Sequence, residues 1–207
     1  MILQSLKDFA LAGGDWVIYL LLSGSVLAVA VIIERWIVIR REMLTLGQLR
    51  RALPPRIQAR EWDAAVKEAQ RAPGVAARIL QAGLSQARAG AGAMEEHLAA
   101  AGILERGAVE KRLLILGTLG NNAPFVGLFG TVLGVIKAFH DLSASEGGPE
   151  VVMRGLSEAL IATAVGLFVA IPSVIAYNYY QNRVKELMGG VEALGRLLLA
   201  RVKSQQA

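Results

Sequence analysis

The chain has 207 residues, of which 54% are hydrophobic, and its mean hydropathy of +0.46 is above that of an ordinary soluble domain. It contains no cysteine, which excludes disulfide frameworks, cysteine-ligated metal sites and thiol nucleophiles. The formal net charge is +5, from 22 Lys and Arg against 17 Asp and Glu. Because aromatic residues are not interleaved with the basic ones, we expect no nucleic-acid partner and attribute the charge to membrane topology.

The first predicted element is a transmembrane helix over residues 16–39, which follows a short N-terminal segment, 1–15. Residues 16–33 form an uncharged run of 18 residues, close to the lower length limit for a span. The run ends at Glu34 and Arg35. We interpret these as interfacial charges that anchor the helix end or pair with the following domain, with a part in ion conduction as the alternative.

A cleaved signal peptide is the alternative for this first segment, because the small residues Ala28, Val29 and Ala30 look like a cleavage site. The apolar run continues past them to residue 33, and the positive charges follow the segment instead of preceding it. We therefore expect the segment to stay attached as a membrane helix.

Residues 40–111 predict a helical domain interrupted by breaks. Two prolines, Pro54 and Pro55, are expected to end one helix after Leu53, and residues 61–72 predict a second helix. The signs of the charges alternate along that second helix, as on a solvated face.

A third helix is expected to start at Pro73-Gly74 and run to about residue 89, where Gly90-Ala91-Gly92 separates it from a fourth. The fourth has no stop signal after residue 93. We predict that it continues as one long helix into the second membrane span.

Two further spans are predicted over residues 112–140 and 152–180, joined by a short loop, 141–151, and followed by a C-terminal helix, 181–207. Each span holds an uncharged apolar stretch of about 24 residues, which as a helix covers about 36 Å. The hydrocarbon core of a bilayer is about 30 Å thick, so both can cross it. The sequence thus predicts an all-α membrane protein with three transmembrane helices.

Small residues recur at helical spacing on the second and third spans and form one stripe on each. A stripe of small residues allows another backbone to approach closely, within one chain or between copies in a ring. We predict that the glycine stripes assemble the chain into a homo-oligomeric ring. The helix-packing residues are Gly127, Gly130, Gly134, Gly166 and Ala170.

Three polar side chains stand out in these spans: Thr131, Thr163 and, at the start of the third span, Glu158. Ionisable groups at membrane depth are costly and usually functional, which points to ion or proton movement. For the threonines the alternative is a hydroxyl bonded to a carbonyl of its own helix. For Glu158 it is a pair with Arg154, one turn earlier.

The distribution of Lys and Arg predicts the orientation. Residues 40–112 contain 13 and the tail contains five, whereas residues 1–15 contain only Lys7 and residues 137–151 contain only Lys137. Since cytoplasmic flanks are enriched in positive charge, we place the N-terminus and the short loop in the periplasm and the large domain and C-terminus in the cytoplasm.

Sites for other chemistry are not expected. The two histidines, His97 and His140, lack the partners that a metal site or a catalytic triad would need. The Gly-rich phosphate loop of ATP-using proteins is missing from the sequence. We therefore expect no metal, no cofactor and no conventional enzyme activity.

The segments NNAPFVGLFGTVLG at 121–134, GLSEALIATAVGL at 155–167 and IPS at 171–173 closely resemble the ExbB/TolQ/MotA proton-channel family, in particular its ExbB/TolQ branch. The likeness is dense over the two later spans. Elsewhere the chain agrees in length, order and topology more than in motif. The count of three spans favours ExbB or TolQ over the flagellar stator protein, for which the resemblance would imply four.

The resemblance implies a bacterial inner-membrane pentamer that encloses the single spanning helices of an ExbD/TolR-like partner dimer, with a TonB- or TolA-like protein and membrane lipid as further partners. It also implies that Thr131, Glu158 and Thr163 line the proton path, with the central aspartate supplied by the partner. Lys137 departs from the neutral polar residue expected near the outer mouth.

The function expected from the resemblance is that of the ring subunit of a proton-motive-force-driven motor that energises TonB-dependent transport. Tol-Pal envelope maintenance and gliding motility are alternatives within the family. A non-conducting membrane scaffold is the alternative from another class. The three polar side chains favour the channel, because a scaffold gains nothing from Glu158.

Overall fold

The computed structural model describes residues 13–144 and 149–206, which are helical apart from short turns. This helical content confirms the predicted all-α class. Three of the described helices are long and apolar enough to cross a membrane, which fits a membrane protein. In chain order the helices are α1 (Asp15–Gln58), α2 (Trp62–Arg71), α3 (Val75–Leu84), α4 (Ala91–Glu110), α5 (Leu113–Ala144) and α6 (Pro149–Gln206), with a 3-10 turn at Ala87–Ala89.

The chain divides into two compact units. The first, the three-helix unit, comprises the chain up to Ile32, described from Gly13, together with Leu114–Asn178. The second, the helical domain, comprises Ile33–Leu113 and Tyr179–Ala207. Helices α1 and α6 therefore each contribute one part to both units.

The three-helix unit has a small core and an apolar exterior. Large side chains on all three helices point outward, among them Val26, Phe125 and Phe168, which are 72%, 68% and 74% exposed. Lipid tails solvate such side chains, whereas an apolar exterior of this extent is rare on soluble monomers. The buried core consists of Val17, Leu21, Ala123, Leu133, Val169 and Ala170.

The helical domain has a larger core, made by α2, α3 and α4 with the second halves of α1 and α6. On α1 the fully buried residues Leu49, Leu53 and Ile57 recur every four positions, which places them on one face. Helices α3 and α4 approach closely, since a Cβ added at Gly83 would lie 2.3 Å from Leu98 Cγ.

The prediction that Pro54-Pro55 ends the first helix after Leu53 is wrong, because α1 continues to Gln58. The two prolines remove backbone donors from this turn. Two contacts offset that loss. Ile57 is fully buried, and Arg201 Nη1 donates a hydrogen bond of 2.7 Å to the Pro54 carbonyl.

The prediction of one continuous helix from residue 93 into the second span is also wrong. Helix α4 ends at Glu110, and α5 begins at Leu113 after a turn at Lys111 and Arg112. In an uninterrupted helix the Val109 carbonyl would accept the N–H of Leu113. Here that carbonyl accepts a hydrogen bond of 3.2 Å from Arg35 Nη1, and the interruption accompanies this contact.

The helices extend beyond the edges of the predicted segments. The predicted loop 141–151 is helical at both ends, and its residues 145–148 lie outside the described residues, as do residues 1–12 of the N-terminal segment. No break separates 152–180 from residues 181–206 of the predicted C-terminal helix 181–207, because α6 is a single helix to Gln206. The assignment of segments to the bilayer and to its two sides stays a prediction.

Candidate functional site

Two threonine hydroxyls meet inside the three-helix unit. Thr131 on α5 and Thr163 on α6 are both half-buried, and their Oγ1 atoms lie 2.5 Å apart, within hydrogen-bond distance. Thr131 Oγ1 is also 3.2 Å from the Gly127 carbonyl of its own helix and 3.1 Å from the Ala159 carbonyl of α6. Each hydroxyl has a single proton, so the protons in this cluster can be distributed in more than one way.

The predicted alternative for Thr131, a bond to its own helix, is therefore present, but it is one of three contacts. The cross-helix contacts with Thr163 and Ala159 are not explained by local helix geometry. Through these contacts the two hydroxyls can exchange hydrogen-bond partners without a movement of the backbone. We refer to Thr131 and Thr163 below as the threonine pair.

Close packing of α5 on α6 positions the threonine pair. A Cβ added at Gly127 would lie 2.7 Å from the Ala162 carbonyl oxygen, and one at Gly166 would lie 2.7 Å from the Ala123 carbonyl oxygen. Both distances are shorter than an ordinary carbon–oxygen contact, so only glycine fits at these two positions. The small-residue stripes hence bring the two backbones together, as predicted for the case of contact within one chain.

The same contacts bear on the prediction that the glycine stripes join copies of the chain in a ring. A Cβ at Gly134 would lie 2.7 Å from Ala159 Cβ, and one at Gly130 would lie 2.9 Å from Ala162 Cβ. These glycines face α6 of the same chain. Their surface is therefore already occupied, and a ring needs another surface.

Glu158 occupies a different environment from the threonine pair. Its Oε1 accepts a hydrogen bond of 3.1 Å from Arg154 Nε, four residues earlier on α6, and the two side chains are 60% and 84% exposed. Among the described residues neither threonine hydrogen-bonds to Glu158. The structure thus brings together two of the three predicted polar side chains. An exposed pair of this kind contributes about 0–1 kcal/mol to stability.

The interfacial charges Glu34 and Arg35 belong to the helical domain, where Arg35 is 5% exposed. Arg35 Nη2 lies 3.0 Å from Glu34 Oε1, and Arg112 also pairs with Glu34. Together with the bond from Arg35 to the Val109 carbonyl, these contacts tie α1 to the end of α4 and the turn after it. This arrangement matches the predicted pairing with the following domain.

Glu42 is a structural residue that the sequence analysis missed. The residue is 8% exposed, and its two carboxylate oxygens accept hydrogen bonds of 3.0 and 2.9 Å from the Val75 N–H at the start of α3. A carboxylate at a helix N-terminus satisfies free donors and interacts favourably with the helix dipole. Residues 42 and 75 are 33 positions apart, so no local pattern could have revealed the contact.

A second missed contact joins Arg78 of α3 to Glu105 of α4 through two hydrogen bonds of 2.6 Å. These bonds to the Arg78 guanidinium hold the pKa of the Glu105 carboxyl below its ordinary value. The pair stabilises the packing of α3 on α4.

Metal binding has no support in the described part of the chain, where no group of three His, Asp or Glu side chains is arranged to hold an ion. The threonine pair itself offers two hydroxyl groups that can each donate and accept hydrogen bonds.

A sequence model of the MotA/TolQ/ExbB proton channel family matches residues 71–193, a segment that contains the threonine pair. Among individual relatives, the Tol-Pal system protein TolQ of Pseudomonas aeruginosa is 48% identical over 82 residues, which are 39% of this chain and 36% of that protein. The biopolymer transport protein ExbB of Aquifex aeolicus is 46% identical over 86 residues, which are 41% of this chain and 57% of that protein.

The ExbB of Neisseria gonorrhoeae is 41% identical over 92 residues, which cover 44% of this chain and 42% of that protein. Across these three relatives the chain matches between 36% and 57% of their length. The likeness therefore covers part of each relative, while the family match spans more than half of this chain.

Proposed function

We propose that this chain, which belongs to the MotA/TolQ/ExbB proton channel family, is the ring-forming subunit of an inner-membrane motor driven by the proton-motive force. The observation that carries the proposal is the threonine pair, held at 2.5 Å by glycine-mediated packing of two apolar helices. Polar side chains with exchangeable hydrogen bonds within apolar helices are typical of proton pathways. Thr131, Thr163 and Glu158 are the residues assigned to that pathway.

A complete proton path needs a titratable group beside the threonine pair. No carboxylate of the described residues hydrogen-bonds to it, and we assign this group to a partner. A partner dimer of the ExbD/TolR kind would supply it, as an aspartate on a single spanning helix. The hydroxyls would then stabilise that carboxylate, or the water next to it, as it gains and loses a proton.

The ring, a pentamer, forms through surfaces other than the glycine stripes. Helices α5 and α6 offer large exposed apolar side chains for this purpose, including Phe125 and Leu160, which are 68% and 64% exposed. Contacts between copies or with lipid would cover them. The N-terminus faces the periplasm and the helical domain faces the cytoplasm, in keeping with the distribution of Lys and Arg.

The work done by the motor is the energising of TonB-dependent transport, in keeping with relatives named biopolymer transport protein ExbB. Tol-Pal envelope maintenance is the second candidate. This second candidate is supported by the TolQ of Pseudomonas aeruginosa. That protein is 48% identical to this chain over the matched residues, about as similar as the Aquifex aeolicus ExbB at 46%. Deletion of the gene separates the two, since the first predicts loss of TonB-dependent uptake and the second predicts envelope leakage.

The test of conduction is proton uptake into proteoliposomes under an imposed potential, with this chain reconstituted alone or together with its single-span partner. We expect uptake only when both components are present, and loss of uptake when the partner's intramembrane aspartate is replaced by asparagine. A complex that assembles fully but never conducts would support the scaffold instead. Glu158→Gln, which removes the charge and keeps the outline of the side chain, should lower the flux.

A further inference from the structure

A cavity lies within the three-helix unit at the end where α1 begins. Its volume is about 220 Å3, and its walls come from α1, α5 and α6. One molecule of liquid water takes up about 30 Å3, so the cavity has room for several. Five charged side chains line it: Asp15, Lys137, Asp141, Arg154 and Glu158.

Lys137 is one of the charged side chains on the cavity wall. The side chain is half-buried and lies over Gly13, where an added Cβ would come 3.0 Å from Lys137 Cδ. Among the described residues its ammonium group has no carboxylate within ion-pair distance, in contrast to Arg154, which pairs with Glu158. A half-buried cation without such a partner needs water around it.

Three small residues of the cavity wall lie next to the threonine pair, since Gly130 precedes Thr131 and Ala162 precedes Thr163 in the chain. The third of these wall residues is Ala159. The Ala159 carbonyl accepts a hydrogen bond of 3.1 Å from Thr131 Oγ1, so one residue both lines the cavity and contacts the pair. The cavity wall therefore includes Ala159, whose carbonyl group contacts Thr131 directly, and a chain neighbour of each threonine.

We propose that this cavity is the route by which protons reach the threonine pair from the periplasmic side, through the interior of a single copy of the chain. The inference rests on the proposed function and specifies its entry path. A proton accepted by water near the charged side chains is matched by a proton released from water beside Ala159, so no further reactant is needed. Lys137, which departs from the family pattern, then belongs to the wall of the entry route.

Single cysteines can test this route cleanly, because the natural chain contains none. Val151 lines the cavity, whereas Met153, two residues later on α6, does not line it and is 70% exposed. We would prepare Val151→Cys and the matched control Met153→Cys, each in complex with a cysteine-free partner in proteoliposomes. A membrane-impermeant methanethiosulfonate is then added, and labelling and proton uptake are measured on the same samples.

Each variant is compared with its own flux before labelling, and we expect labelling to remove most of the flux of Val151→Cys and to leave that of Met153→Cys. Ile18→Cys, on the α1 wall of the same cavity, should repeat the result and serves if Val151→Cys fails to assemble. Three results would overturn the entry route. They are full flux after complete labelling, no labelling of either wall position, and equal inhibition of Met153→Cys. Those outcomes leave the proposed function standing, since the unlabelled complexes still conduct; a wild-type complex without flux would end both.

Discussion

Gly127→Ala tests how tightly α5 and α6 must pack for the site to work. The added Cβ would lie 2.7 Å from the Ala162 carbonyl oxygen and 3.1 Å from Thr163 Cα, and both atoms belong to the backbone. An ordinary carbon–oxygen contact is about 3.3 Å or more, so the helices have to separate by about 0.6 Å. Overpacking of this kind costs about 1–3 kcal/mol.

The separation would also lengthen the contact between the two threonine hydroxyls, which are 2.5 Å apart. Displacements near 1 Å at a reacting centre can lower rates by about 100-fold, so we expect Gly127→Ala to lose about tenfold or more of the proton flux.

Gly107→Ala on α4 is the matched control, because nothing lies within 4 Å of its added Cβ. Alanine gains about 1 kcal/mol over glycine in a helix, so the control should be slightly more stable than wild type. Thermal unfolding in detergent and flux in proteoliposomes would be measured for both variants. Equal stability and equal flux in the two variants would refute the close packing.

Two further predictions concern the helical domain. Glu42→Gln weakens a charge-assisted hydrogen bond with the Val75 N–H, and such a bond is worth about 1.5–3 kcal/mol. Hydrogen exchange at the Val75 amide should therefore accelerate by about tenfold or more. Unchanged exchange would show that Glu42 does not cap α3. The pKa of Glu105 is lowered by Arg78, so this pair stabilises the fold above the ordinary carboxyl pKa and the contribution disappears as the pH falls through the lowered value. Because Arg78 is half exposed, the effect should be at most about 1 kcal/mol. This pH-dependent stabilisation should be missing from Arg78→Gln when unfolding is measured between pH 7 and pH 3. An identical pH profile of stability in wild type and variant would contradict the prediction.

The sequence predicted those features that follow from local pattern. Apolar stretches of sufficient length gave the three long helices, and the spacing of Gly127 and Gly166 gave the packed faces of α5 and α6. The sequence also predicted the interruptions between helices at Pro73-Gly74 and at Gly90. A glycine with positive φ stands at each of them, with φ of +100° at Gly74 and +117° at Gly90.

Features that depend on distant contacts were not predictable in this way. The turn at Lys111-Arg112 has no glycine or proline to mark it, and it accompanies a bond from Arg35, 74 positions away from Val109. Helix α1 passes through Pro54-Pro55 because burial of Ile57 outweighs the local preference. In the candidate site, helical spacing placed Thr131 and Thr163 on small-residue faces, but only the packed pair of helices shows that their hydroxyls meet.

The most direct test of the proton path is flux through assembled complexes that carry Thr131→Val or Thr163→Val. Valine keeps the shape of threonine and removes the hydroxyl, and Thr118→Val, an exposed position on α5, provides the same substitution away from the threonine pair. Proton uptake under an imposed potential is measured together with the oligomeric state of the same samples. We expect assembly in all three variants, normal flux in Thr118→Val and no flux in the other two; wild-type flux in assembled Thr131→Val and Thr163→Val would contradict the assignment.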